Sequence, residues 1–188
     1  MTKKDDLIWL DLEMTGLDPE RDTILEIGTV VTDSNLHTLA EGPVMAIHHS
    51  ESVLGEMDPW SQEHHELSGL IRRCRESKIS LAQAEKETLT FLEQRCPAGK
   101  IPLCGNSIGH DRRFLVKYMP KLHDFFHYRN VDVSSIKELV RRWYPLTPHS
   151  PEKKKTHQVL DDIRESIEEL KYYRPALDAF SSFPGNAA

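Results

Sequence analysis

Apolar positions fall into two regimes along the chain. Near the start they come in short, dense runs. Leu7 to Leu12 is one, Ile24 to Thr32 is a second and β-branched one, and Leu36 to His48 alternates loosely as a third. Runs this short, bounded by Gly16 and the Asp18-Pro19 turn, predict strands, and their close spacing predicts an antiparallel meander. From Ser80 the period lengthens. Leu81, Ala84, Leu89 and Leu92 mark one face of a helix that Ser80 and Gln83 open as a capping box and Pro97-Ala98-Gly99 closes. Ile101 to Cys104 predicts a strand, and Arg112 to Met119 a helix stopped near Pro120. Asn130 to Val133 predicts another strand. Ser134 or Ser135 then caps a helix whose face is Ile136, Leu139, Val140 and Trp143. Tyr144 to Lys155 holds three prolines and a lysine run, so it predicts a loop. Leu160, Ile163, Ile167 and Leu170 line a last helix, and beyond Pro175 the tail is small, polar and expected to fray.

A meander followed by alternating helices and strands implies an α/β fold, a mixed β-sheet flanked by helices. With no internal repeat and no linker, residues 1–176 read as a single domain and 177–188 as a flexible tail. The 188 residues suffice for a substantial core. No apolar run approaches the ~20 residues that a membrane helix needs, and the N-terminus lacks a secretory signal. Cys74, Cys96 and Cys104 form no CxxC pair, so neither a disulfide framework nor a zinc site is expected, and the compartment reads as a reducing cytoplasm. The net charge of −6 argues against a broad basic surface. Arg72-Arg73, Arg112-Arg113, Arg141-Arg142 and Lys153 to Lys155 read mostly as solvated clusters. If the substrate is nucleic acid, this balance favours a short one.

One residue breaks the first apolar run. Asp11 is poor packing inside a central strand, which argues for function there. Glu13, two positions on, shares its face. Alone, such a pair would read as a solvated strand edge, but Leu10 and Leu12 flank these acids. Asp111 could equally be a helix-start acid facing the dipole. Asp161-Asp162 opens the last helix near His157. Helical spacing of four would choose Asp161 as the histidine's neighbour, and spacing alone does not decide between the two acids. Clustered acids are costly unless they bind metal, so acids drawn from three distant segments point to a divalent-cation site. A histidine beside them suggests a base that activates water, and the set points to metal-assisted phosphodiester cleavage. His48-His49 and His64-His65 lack zinc-site spacing and read as surface or structural.

These motifs carry a resemblance. DLEMTGLDP, GNSIGHD and HQVLDD, in that order, resemble the three motifs of the oligoribonuclease family of DEDDh 3′→5′ exonucleases. So do LAEGP, RRFLVKYMP, FHYRNVDVS and DDIRES, so that the likeness runs from about Leu7 to Arg174. It implies a ribonuclease H-like fold. The family's H-x4-D spacing selects Asp162 over Asp161. The resemblance implies two Mg²⁺ or Mn²⁺ ions on Asp11, Glu13, Asp111 and Asp162, with His157 as general base. It further implies that Leu17 and Trp60 pack on bases. Ser107, Arg129 and Ser134 would hold a 5′ phosphate, with Tyr128 contributed across a homodimer. The substrate would be very short RNA, above all dinucleotides, cut to 5′-mononucleotides. The aromatic-rich FHYR and RRWYP segments fit a homodimer as interface anchors. Two departures stand out: His110 occupies a position that is aromatic in many such exonucleases, and residues 144–155 depart from the family pattern around His157. A proofreading exonuclease on longer DNA and a non-catalytic binding subunit are the competing expectations. Trp60 and FHYRNVDVS argue against the first, and the full catalytic set against the second.

Overall fold

Alternating burial starts the fold at β1 (Leu7–Met14). Ile8, Leu10 and Leu12 point to one side of the sheet, into a core completed by Leu92, Leu103 and Phe114. Trp9 points to the other side, where Val159, Ile163 and Ile167 cover it. A strand packed on both faces must lie centrally, and β1 does. The computed structural model describes residues 5–144 and 158–177. In it the sheet runs β3-β2-β1-β5-β6, with β4 paired to β2. β2 (Ile24–Thr32), β3 (Thr38–Glu41) and β4 (Met45–Ala46) form the expected antiparallel meander with β1. β5 (Pro102–Gly105) runs parallel to β1, and β6 (His127–Asp132) parallel to β5. The sheet is mixed and helices cover it, as in a ribonuclease H-like exonuclease fold.

Several boundaries differ from the sequence reading. The third strand divides into β3 and β4, since Gly42-Pro43 interrupts it. Three helices precede Ser80: α1 (Glu51–Gly55), α2 (Pro59–Leu67) and α3 (Leu70–Glu76). They are short, and their many charged and polar residues hide the apolar period. Asp58 caps α2 by accepting from Trp60 N–H and Ser61 N–H, and Gly69 at φ 71° turns the chain into α3. Ser80 caps α4 (Leu81–Glu93) as expected. α5 (Gly109–Tyr118) starts earlier than Arg112, and Pro120 opens α6 (Pro120–Phe125) instead of only ending its predecessor. Asp132, not Ser134 or Ser135, caps α7 (Val133–Trp143), accepting from Ser134 N–H. The last helix, α8 (Val159–Leu177), runs through Pro175. Its apolar stripe of Val159, Ile163, Ile167 and Leu170 lies on the Trp9 face of the sheet. The loop expected after Tyr144, the tail from residue 178 and His157 lie outside the described residues.

Candidate active site

Three elements converge at the carboxyl end of β1. Asp11 and Glu13 share the face that Trp9 presents to α8. Asp11 pairs in register with Gly28 of β2, where a side-chain Cβ would run into Val159. Glycine there lets α8 approach the sheet closely, and Asp162 rides in with it. Ligand oxygens of Asp11, Glu13 and Asp162 all lie within 4.8 Å of one another. Asp161 turns elsewhere, toward the guanidinium of Arg164 (3.2 Å). The geometry therefore brings Asp162, not Asp161, to the two strand acids.

Asp111 arrives from the other side. β5 pairs with β1 only at Ile8 and Trp9, then leaves at Gly105 for α5. Leu12 N–H, beyond that pairing, donates instead to Asp111 Oδ1 (3.0 Å). Asp111 is buried, and its burial raises its carboxyl well above the ordinary value. It stands outside the 4.8 Å group but close enough to act on Glu13 electrostatically.

Glu13 is strongly perturbed. Burial pushes its carboxyl up to about 8. The carboxylates of Asp162, Glu26 and Asp111 push the same way, and Arg73 opposes them. Charge gathered this densely in a half-buried crevice is stabilised by an oxygen-seeking divalent cation, and these three carboxylates fit one. Among the described residues this is the cluster whose donors suit a hard cation.

The remaining expected residues lie on the loop after β1, on α2, after β5, on β6 and at the start of α7. Leu17 tops a loop stiffened around Asp22, which accepts from Thr15 Oγ1 (3.1 Å) and Asp18 N–H (2.9 Å). Tyr118 Oη donates to the carbonyl oxygens of Pro19 (3.1 Å) and Asp22 (2.6 Å) in the same loop. Leu17 and Trp60 are each more than 60% exposed, an apolar display that a monomer's stability does not require. A cleft of about 1100 Å³ beside Leu17 is lined also by Thr15, Val53, Asp58 and Arg113. Trp60 stacks on His64 with ring centres 3.9 Å apart. At the other side Ser107 adopts φ 51°, and its Oγ lies 3.0 Å from Ser134 Oγ. Ser134 Oγ also donates to Asn106 Oδ1 (3.1 Å), and Asn106 in turn reaches Ser166 of α8. On β6, Tyr128 is exposed and the Arg129 guanidinium lies over its ring at 5.4 Å.

Sequence reasoning missed three participants. His65 is buried: its Nε2 lies 2.9 Å from Met14 O and its Nδ1 3.9 Å from Glu13 Oε2. Arg73 pairs with Glu26, the residue opposite Glu13 in register. The available signal was Glu26 itself, the one charge in the apolar run ILEIGTVVT. Arg112 is likewise no solvated residue, since it donates to the carbonyls of His127 and Tyr128 (both 2.7 Å) and holds the start of β6.

Comparison with known proteins identifies the family and the fold. The exonuclease family model (RNase_T) matches residues 8–170. The oligoribonuclease of Pseudomonas putida is 59% identical over 174 residues, covering 93% of this chain and 97% of its own. That of Shewanella loihica is 62% identical over 168 residues, 89% of this chain and 93% of its own. Among solved structures, an Escherichia coli exonuclease I complex with single-stranded DNA superposes with a TM-score of 0.72 at 14% identity, over 95% of this chain and 43% of that one. The exonuclease I of Methylocaldum szegediense gives 0.66 at 19%, over 93% and 42%. These two likenesses are of fold, and the chain spans less than half the length of either.

Proposed function

The chain belongs to the oligoribonuclease branch of the exonuclease family and is an exoribonuclease, and from that premise we propose that it shortens very small RNAs, dinucleotides above all, from the 3′ end to 5′-mononucleotides. The observation that carries the proposal is the convergence of Asp11, Glu13 and Asp162 within 4.8 Å. Asp11, Glu13 and Asp162, drawn from β1 and α8, would hold two divalent ions together with Asp111 from α5. Both would be Mg²⁺ or Mn²⁺. When bound, such ions stabilise charge on the attacking and leaving oxygens of a phosphodiester. The chain supplies the rest. His157, one residue before the turn whose Gln158 carbonyl accepts from Asp162 N–H (3.0 Å), takes the proton of the attacking water. Leu17 and Trp60 pack on the bases.

Length is read at the far end. The scissile phosphate is the same in every oligomer, so selectivity for two nucleotides needs a contact with the 5′ terminus. The Ser107–Ser134 hydroxyl pair supports such a cap: Ser107 is held at φ 51°, a conformation that costs about 1–3 kcal/mol, by its N–H bonds to Asp132 Oδ1 (3.0 Å) and Ser134 Oγ (2.9 Å), which keep the two hydroxyls side by side. Arg129 adds the fork that suits a terminal phosphate. Tyr128 reaches across a homodimer in this reading, and the exposed Leu139, Trp143 and Tyr144 offer apolar surface for it. Residues 1–176 act as the single exonuclease domain and 177–188 as its tail. No helix among the described residues is long and apolar enough to cross a membrane; the free, buried Cys74, Cys96 and Cys104 suit a reducing cytoplasm. The test uses 5′-labelled RNAs of two to twenty nucleotides and a matched DNA set with Mn²⁺. Rapid turnover confined to the shortest RNAs supports the proposal. Preference for long DNA would favour a repair exonuclease, and no cleavage a binding role.

A further inference from the structure

Glu26 is not explained by packing. Every residue of β2 is buried, and Glu26 lies directly opposite Glu13 in register. Placing one more acid beside the metal-site carboxylates works against the fold unless it has a task. Its visible task is to hold Arg73. Arg73 Nε donates to Glu26 Oε1 (3.2 Å), and Arg73 Nη2 donates to Oε1 (3.0 Å) and Oε2 (3.2 Å). The remaining arm, Nη1, donates to the carbonyl of Ser68 (3.0 Å), the residue that ends α2. The reversal at Gly69 is what swings α3 back so that Arg73 sits under that end. A second tie, His65 Nε2 to Met14 O (2.9 Å), fixes the same helix to β1. Trp60 stands at the start of α2, so its place relative to Glu13 is set by these two ties.

We propose that Glu26 and Arg73 are a positioning pair: the guanidinium, clamped between β2 and the end of α2, sets the distance from the Trp60 platform to the metal-site carboxylates. The inference rests on reading Trp60 as the surface on which a base stacks. A dinucleotide has few contacts, so it must meet the platform and the carboxylates together. Loosening the strut therefore weakens capture of the short substrate and leaves bond cleavage in the bound complex nearly intact.

Arg73→Gln alone leaves Glu26 buried without its partner and can simply unfold. The double variant Glu26→Leu/Arg73→Met avoids this, because it removes the buried carboxylate together with its half-buried partner and leaves no unpaired charge in the sheet. Steady-state kinetics on an RNA dinucleotide with Mn²⁺ are measured for wild type, the double variant, Trp60→Ala and the triple variant, with melting temperatures alongside. The double variant is expected to melt near wild type, to raise KM by about 10- to 100-fold and to keep kcat within about threefold. Added to Trp60→Ala, it should cost at most about threefold more, since both act through one platform. A Trp60→Ala variant with unchanged KM would overturn the platform reading and this inference with it. If Trp60→Ala raises KM but the double variant does not, or if their losses multiply, the inference alone fails.

Discussion

Replacing Glu13 by glutamine should stabilise the metal-free protein above neutral pH. An unfolded chain ionises this carboxyl near 4.5, whereas the fold holds its proton to about 8. The stability linked to that proton is fully present below pH 4.5 and is lost as pH rises through 8. At about 1.4 kcal/mol per pH unit, the gap sets a ceiling of roughly 5 kcal/mol. Asp162, Glu26 and Asp111 share the repulsion, so about 2–3 kcal/mol is the realistic loss. For a chain of this size that corresponds to a melting temperature lower by roughly 5–10 °C. The assay is thermal unfolding in EDTA from pH 5 to pH 8.5, with Mg²⁺ added in a parallel series. Wild type should lose stability across that range without metal and regain it with Mg²⁺. Glu13→Gln should make the metal-free profile shallower, leaving the smaller fall that the raised Asp111 carboxyl contributes, and should respond weakly to Mg²⁺. A variant whose profile still falls as steeply as wild type would refute the assignment of the strain to Glu13.

Asp11→Ala should abolish turnover without lowering the metal-free melting temperature; wild-type rates in this variant would remove Asp11 from the chemistry. His157→Ala should slow kcat by about 10²–10⁴-fold yet leave Mn²⁺ binding by calorimetry intact, as befits a base that is not a ligand. Gly28→Ala should push Val159 off the sheet, lowering the melting temperature and activity together, and a crystal structure should show α8 displaced. Arg129→Ala should weaken dinucleotide cleavage about ten- to a hundredfold, the scale of a charge-assisted contact, and spare a seven-nucleotide RNA; equal losses on both lengths would move the ruler elsewhere.

The sequence showed the acids more clearly than the scaffold that gathers them. Asp11 stood out because a charge inside an apolar strand violates the pattern around it. Glu26 violates its strand in the same way, yet its meaning depends on Arg73, 47 residues away and brought back by the turn at Gly69. No local pattern reports such a pairing. α1 to α3 went unread because they are short and partly polar, and tertiary contacts, not periodicity, hold them: His65 on Met14 and Arg73 on Glu26. Ser134 looked like a cap because its residue type suits one, but Asp132 takes that place and Ser134 Oγ turns to Ser107. Helical spacing leaned toward Asp161 and only the family pattern selected Asp162; in the fold the two part because Arg164 engages Asp161.

Asp11, Glu13 and Asp162 are proposed as the catalytic cation site. Calorimetric Mn²⁺ titration of wild type, Asp11→Asn, Asp162→Asn and Asp161→Asn, with dinucleotide turnover measured on the same samples, tests it most directly. Binding and turnover should vanish together in Asp11→Asn and Asp162→Asn and persist in Asp161→Asn. Full binding and turnover in Asp162→Asn, with loss of both in Asp161→Asn, would contradict the site described.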